Sequence, residues 1–596
     1  MRFNTILFIF SIFSLVSGFS NDIKDINVTS VVDKITKWVN SGEETKVFQE
    51  LIELLTLPDE LQFTNWRTFT ALNSVGICTI CKSTLQTFIN FRRQGMSEND
   101  IAKRVIKLCV LLKFQTERVC TGVVKLNLPI IIYIIDSKLD IQASDICGIV
   151  LESKSCPFNI EKYEWTIPLD HISTEKIPLK EESNDTIKII QITDIHYDPK
   201  YEPNGNSFCN EPTCCRKGQN ITNSSDKTAG YWGDYNKCDT PWHSLVDALD
   251  HIKVTHQNID YIYFTGDLID HGVWETSIEE NIQNINKNYV EIYEHFKNIT
   301  VYPVLGNHES HPMNQYAPKN ITDYELSTFW LYNMVANLWI SFGWLPESTR
   351  ATILQGGFYT LSPRKGFRII ALNSNVCYSY NWWLLYQHQD PDGQLNWLVE
   401  TLTQAQQNKE LVHILSHIPP GDQDCQYVWK REYLKIINKF SHIIVAQFNG
   451  HTHNDELRVI YKDEDGKNNV SHVAWNGGSI TTYVNLNPNY KLYTIDNNTL
   501  MVKDFDNWMY DLALANEHPT QRPQWYRSYS FKNEYNLTDL SLNSINDWLV
   551  DMKNNTDTLD RYYKNFFKHA TPALKKHCDL KCKEKYMNDI IVTVPH

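Results

Sequence analysis

An α/β (α+β) fold is what the sequence predicts: a layered sandwich of buried strands, a small all-α region before it and a helical region after it. Three observations lead there. The runs "IKIIQITDIH", "IDYIYFTGDLI", "VYPVLGNHE", "FRIIALNSN", "LVHILSHIPP" and "IIVAQFNGHTH" each have the length of a buried strand and break off into polar residues, the pattern of strands carrying a site at their C-terminal edges. Helical segments alternate with these runs. The cysteine-rich stretch ahead of them instead reads as helix, since "SENDIAKRVIKLCVLLK" opens on acidic residues and ends on basic ones, matching the helix dipole.

In chain order, residues 1–20 combine Arg2, an apolar core from Ile6 to Val16 and the small residues Ser17, Gly18 and Ser20, as a signal peptide does. A membrane anchor competes, but the apolar run is shorter than the roughly 20 residues needed to span. Residues 21–73 show helical spacing at Val31, Ile35 and Trp38 and again at Phe48, Leu51, Ile52 and Leu55. Residues 74–160 hold Cys78, Cys81, Cys109, Cys120, Cys147 and Cys156. A zinc site at Cys78 and Cys81 is the rival reading, disfavoured by an oxidising compartment and the lack of a matching CxxC. The run "LNLPIIIYIID" is too short to span and is interrupted by Pro129. Residues 161–185, charged and flanked or punctuated by Pro157, Pro168 and Pro178, read as a linker. The strand-like runs occupy 186–490, and 491–596 reads as helical and aromatic-rich with a C-x3-C staple.

Composition narrows the function classes. A hydrophobic content of 42% and charged content of 21% are ordinary for a globular chain. The net charge of −14 argues against a nucleic-acid partner, because neutralising phosphates needs an excess of Lys and Arg. The 20 histidines, if all protonated, would turn that charge to +6, so the surface changes sharply on acidification. Fourteen cysteines, an even number, suit a disulfide framework on a secretory route. Sequons at Asn27, Asn184, Asn220, Asn223, Asn298, Asn320, Asn469, Asn497, Asn536 and Asn554 are glycosylation candidates.

The polar strand endings are metal-ligand residue types: Asp194-Ile-His196, Gly266-Asp267, Gly306-Asn307-His308-Glu309, His417, and Gly450-His451-Thr452-His453. Each alone is an ordinary surface pair or turn. Five in this order, each after an apolar run, form a set. Two divalent ions roughly 3.5–4 Å apart require a bridging carboxylate with N and O ligands on either side. Glycines at 266, 306 and 450 suit tight turns beside such ions.

Over residues 187–480 this set resembles the calcineurin-like metallophosphoesterases. The resemblance implies a two-sheet β-sandwich flanked by helices, with Asp267 as the bridge. It places Asp194, His196 and His453 at one metal and Asn307, His417 and His451 at the other. Two Zn2+ per chain are expected. Imidazole suits Zn, Fe and Mn alike, but the purple acid phosphatases carry an iron-binding Tyr three residues past the bridge, where this chain has Asp270. The implied reaction is in-line attack of water on phosphorus, with His308, and secondly His271, protonating the leaving group.

The six-cysteine segment resembles the saposin-type lipid-binding domains, which implies the pairs Cys78–Cys156, Cys81–Cys147 and Cys109–Cys120. A disulfide-stapled spacer is the alternative. The full domain order, with "GNHESHP" and "NGHTHNDE", resembles the acid sphingomyelinases. That resemblance implies the pairs Cys209–Cys214, Cys215–Cys238, Cys377–Cys425 and Cys578–Cys582. It further implies a secreted or lysosomal, monomeric enzyme that touches membrane and hydrolyses sphingomyelin to ceramide and phosphocholine. Tyr483 is a candidate for the choline site, since aromatic faces receive quaternary ammonium. A secreted phosphodiesterase of nucleotides or other soluble diesters is the first alternative, and a non-catalytic lipid-binding protein the second.

Overall fold

Mostly apolar runs become strands covered on both faces, and two of them, residues 367–371 and 411–415, are buried at all five positions, Arg368 and His413 included. The computed structural model describes residues 28–41, 43–46, 49, 74–151, 156, 160–173, 181–219, 228–462 and 469–594. The expected signal peptide and the sequons at Asn27, Asn220 and Asn223 lie outside them. The strands are β1 (Thr186–Ile192), β2 (Tyr261–Phe264), β3 (Thr300–Pro303), β4 (Tyr359–Arg364), β5 (Phe367–Ala371), β6 (Leu411–Leu415) and β7 (Ile444–Asn449). After them come β8 (Leu457–Tyr461), β9 (Val470–Asn476), β10 (Asn489–Asp496), β11 (Val502–Met509), β12 (Tyr526–Ser530) and β13 (Ile591–Thr593).

They form two mixed sheets, ordered β12-β11-β10-β1-β2-β3 and β13-β8-β9-β7-β6-β5-β4. Strands β1, β2 and β3 run parallel, as do β5, β6, β7 and β9. Their C-terminal ends therefore deliver the polar residues that follow them to common edges. The sheets pack face to face through Tyr263, Phe448 and Tyr493, with ring centroids 5.0 Å apart in both pairs. Helices such as Trp242–Thr255, Ile278–His295 and Tyr427–Lys439 turn buried apolar faces toward the shared core.

Ahead of the sandwich lie helices α1 (Val28–Ser41), α2 (Ser74–Arg93), α3 (Glu98–Leu111), α4 (Glu117–Ser137) and α5 (Ala143–Val150). Ser97 caps α3 by accepting from Asp100 N, and Thr116 caps α4 by accepting from Val119 N. Three disulfides, Cys78–Cys156, Cys81–Cys147 and Cys109–Cys120, cross-link the set, and the region fits a saposin-like domain. Helix α4 lies on the sandwich. Its Val119 and Val123 pack with Val273, Trp274 and Met313, and Asn127 Oδ1 accepts from Trp382 Nε1 at 3.0 Å. A Cβ at Gly122 would sit 2.0 Å from Trp274 O, so only glycine fits there.

Three expectations need correction. Pro129 does not break the apolar stretch; it sits inside the 21-residue α4, which by length and composition alone could cross a membrane, though 61% of its apolar window is buried within the protein. The expected linker is packed where it is described. Tyr163, Trp165, Ile167 and Ile172 are buried, Arg431 donates to Trp165 O, and Glu432 accepts from Ile167 N. The region from 491 onward is helical over much of 531–588 but not helical throughout, because β10, β11 and β12 complete the first sheet and β13 joins the second. The sequence "VKDFDNWM" of β11 alternates buried and half-exposed residues, a one-sided strand with no continuous apolar run.

Candidate metal centre

Five of the seven expected ligands, Asp194, His196, Asp267, His451 and His453, have φ between 46° and 75°. Non-glycine residues adopt this left-handed backbone rarely and at a cost of about 1–3 kcal/mol each. Here the neighbouring backbone fixes it: Asp194 N donates to Gly266 O at 2.9 Å, and Ile195 N and His196 N both donate to Asp267 O. A Cβ on Gly306 would fall 2.0 Å from Asp267 Oδ1, and one on Gly450 2.5 Å from Asp194 Oδ2. The strand ends are thus bent so that seven side chains converge.

They converge as two clusters that share one residue. Asp194, His196, Asp267 and His453 bring ligand atoms within 4.8 Å of one another, as do Asp267, His417 and His451. Asn307 Oδ1 lies 3.0 Å from both His417 Nε2 and His451 Nδ1, which adds it to the second cluster. Asp267 Oδ2 stands 3.5 Å from His196 Nε2 and 3.1 Å from His417 Nε2, reaching both.

Three of the four ligand rings are aimed from behind. The Nδ1 atoms of His196, His417 and His453 lie 2.7, 2.7 and 2.8 Å from the carbonyls of Ile269, Thr265 and Tyr483. An Nδ1–H donated there leaves Nε2 as the inward ligand atom. Asn307 Nδ2 donates to Asn314 Oδ1 at 2.8 Å, which turns its carbonyl oxygen inward. The Glu309 carboxylate accepts from the backbone N–H groups of Gly306, Asp267 and Leu268, tying two strand-end turns together.

The electrostatics suit cations. Burial opposes charge on Asp194, but hydrogen bonds with His196 and His453 and the His453 charge hold its carboxyl well below the usual range. Burial likewise opposes charge on Asp267, and the charges of His417 and His308 outweigh it. In return, against burial, Asp194 and Asp267 raise His196 to about 9, and Asp267 raises His417 to about 9. Carboxylates that draw protons so firmly onto imidazoles would hold divalent cations in their place.

Two further histidines flank the first cluster. The His271 ring stacks on His196 at 4.1 Å, and the His308 ring meets both at 4.5 Å. His308 Nδ1 lies 3.1 Å from Asp270 O, with Nε2 4.0 Å from Asp267 Oδ2. His271 Nδ1 lies 2.5 Å from Asp239 Oδ1, and its backbone N–H donates to Asp239 Oδ2 at 2.7 Å.

Residues 187–455 match the family model described as calcineurin-like phosphoesterase. A Bos taurus sphingomyelin phosphodiesterase is 34% identical over 85% of this chain and 80% of its own. The Homo sapiens sphingomyelin phosphodiesterase is 33% identical over 85% and 79%, and Caenorhabditis elegans sphingomyelin phosphodiesterase 1 is 31% identical over 86% and 90%. The chain belongs to the sphingomyelin phosphodiesterase family.

As a member of the sphingomyelin phosphodiesterase family it is a phosphoric diester hydrolase, and its His/Asp cluster fits a dimetal site. Where the purple acid phosphatases place their Tyr, Asp270 turns away from the cluster, pairing with Arg216 at 3.1 Å and accepting from Gly272 N. Tyr483 is not at an open mouth. It is 3% exposed, its ring stacks on His271 at 4.2 Å and its OH donates to Pro212 O, so it backs His271 and offers no face to a headgroup. The remaining cysteines pair as Cys209–Cys214, Cys215–Cys238, Cys377–Cys425 and Cys578–Cys582. Asp239 and Asn314, both buried beside the cluster, escaped sequence reasoning; Asp239 lies in an irregular segment with no strand-end motif to flag it.

Proposed function

We propose that the protein is a zinc-dependent hydrolase of the secretory pathway that cleaves sphingomyelin to ceramide and phosphocholine. The observation that carries the reading is the pair of clusters joined at Asp267 with two oriented histidines on one flank. Zinc is favoured by a histidine-rich donor set without a phenolate. Two such ions would supply Lewis acidity toward the phosphate and toward the attacking water.

Within that site Asn307, His417 and His451 would hold one ion, Asp194, His196 and His453 the other, and Asp267 would serve both. His308 and His271, whose Nδ1 atoms face Asp270 O and Asp239, have Nε2 left for the substrate, and a proton delivered from either to the leaving oxygen would let ceramide depart as an alcohol. Burial holds His308 down to about 3 in the free site; the anionic diester brings the charge that draws a proton back. The disulfide-linked helices would serve as the lipid-facing part of a monomeric enzyme. The sequons at Asn184, Asn298, Asn320, Asn469, Asn536 and Asn554 are exposed and Asn497 half-exposed, which suits glycosylation.

The test is phosphocholine release from sphingomyelin liposomes near pH 5 by wild type and His308→Ala, where a general acid contributes about 10²–10⁴-fold. Release that zinc chelation abolishes and the substitution cuts supports the reading. Turnover confined to a soluble diester replaces it with the soluble-diester enzyme, and no turnover of either with the lipid-binding protein.

A further inference from the structure

Lys568 is fully buried, with 0% of its surface exposed, and none of the chemistry above uses it. Burying an ammonium group is costly unless it is paired, yet Lys568 forms no ion pair among the described residues. Burial pushes its pKa well below the usual lysine value. Its partners are Ser479 Oγ at 2.6 Å and Ser479 O at 3.2 Å. Both accept, so the lysine acts as a double donor to one residue.

The turn that delivers it is built for the purpose. Lys568 and His569 lie between helices Thr556–Phe566 and Thr571–Leu574, and both adopt left-handed backbone, at φ 50° and 57°. Asn487 Nδ2 donates to Lys568 O at 3.0 Å, while Asn487 Oδ1 accepts from Tyr235 OH and Leu512 N.

Ser479 opens a segment that runs behind the metal centre to Tyr483. Ile480 N donates to Thr193 O at 3.2 Å and Thr481 N to Asp194 O at 3.0 Å. Ser479 Oγ–H donates to Thr481 O at 2.7 Å inside this segment and lies 3.4 Å from His453 O, and Tyr483 O accepts from the His453 ring at 2.8 Å. Two ligands of the first cluster are therefore held by a segment that Lys568 anchors at Ser479.

We propose that Lys568 is a positioning residue: through Ser479 it fixes segment 479–483, and with it the ring of His453, so that a side chain from the C-terminal helices sets how firmly the first cluster holds its cation. The inference rests on the dimetal reading. Lys568→Met keeps the length and removes the donors, and Ser479→Ala removes one acceptor together with the hydroxyl's donation to Thr481 O while leaving the backbone oxygen. Full-length wild type, both single variants and the double variant would be loaded with zinc. Stoichiometry, the rate of zinc loss to a chromogenic chelator, and kcat and KM on bis(p-nitrophenyl) phosphate would be measured, with circular dichroism as the check on folding.

The expected result is one of two zinc ions leaving about tenfold faster or more in Lys568→Met, the range in which outer partners of metal ligands act. kcat should fall with KM unchanged, and the double variant should be no worse than Lys568→Met alone. Zinc loss at the wild-type rate from folded Lys568→Met, or single effects that simply add, would overturn the role. If Lys568→Met does not fold, Ser479→Ala decides, with faster loss of one ion expected and wild-type loss overturning the proposal. A wild type that takes up no zinc would overturn the dimetal reading and this inference together.

Discussion

Asp239 contacts no expected cation ligand directly, yet it holds His271 by ring and backbone at once. A carboxylate that accepts Nδ1–H fixes the tautomer and leaves Nε2 toward the site. Asp239→Asn keeps the shape but offers an amide that can face the ring as a donor, favouring the wrong tautomer. Sphingomyelin hydrolysis by Asp239→Asn should fall by about 10²–10⁴-fold, measured as kcat. Hydrolysis of bis(p-nitrophenyl) phosphate, whose leaving group departs without a proton, should fall far less. Equal losses on the two substrates would remove His271 from leaving-group protonation. Residues of this kind were not legible in the chain. Asp194, His196, Asp267, Asn307, His417, His451 and His453 stand in recognisable short patterns at strand ends, whereas Asp239 and Lys568 act through contacts made only once distant segments meet. Tyr483 shows the converse: an aromatic residue near a ligand strand reads as a lining residue until its burial is known.

Turns between strand and loop impose the tightest steric conditions. Gly306 follows β3 and leaves no room for a side chain beside Asp267 Oδ1. Gly306→Ala should yield a folded chain that binds substoichiometric zinc and has little activity, checked by metal analysis alongside circular dichroism. A variant with full zinc and near-normal kcat would mean the turn relaxes more easily than its contacts imply. At this scale the sequence was readable where burial is two-sided, as in β5 and β6, because a largely apolar run of strand length that breaks off into polar residues is more easily read as a buried strand than as a helix. One-sided strands such as β11 mix Lys503, Asp504 and Asp506 with Val502, Phe505 and Met509, and resemble loop or helix edge. Pro129 misled for a related reason: a proline marks a helix break only when surrounding packing does not hold the helix straight, and α4 has buried residues on both sides of it.

The docking of α4 and the buried histidines bear on the molecule as a whole. Gly122→Leu raises helix propensity locally but drives a side chain into Trp274, an overpacking that should cost about 1–3 kcal/mol. A lower Tm with faster amide exchange in α4 is expected; an unchanged Tm would mean the contact is dispensable. Acidification should also destabilise the fold. Burial lowers His413 and His472 each to about 4 from the usual 6.5, so both are neutral in the folded state where the unfolded chain takes up protons. Their contribution is complete above about 6.5 and is lost as pH falls toward about 4, at up to roughly 1.4 kcal/mol per pH unit for each group. Tm should therefore drop between pH 7 and 5, and drop less steeply in His413→Gln/His472→Gln; parallel slopes would exclude these two rings as the source. Seven disulfides, which act largely on the unfolded state, oppose that loss.

Strand β13 lies parallel to β8 at the margin of the second sheet, although roughly 130 residues of chain separate the two. During synthesis at about 5–20 residues per second, β8 emerges on the order of ten seconds before its neighbour exists. For that interval the nascent enzyme carries a raw β-edge, the kind of surface on which chains stick to one another. A chain that stops before residue 591 lacks the strand that covers β8 and is expected to aggregate more readily than one that includes it.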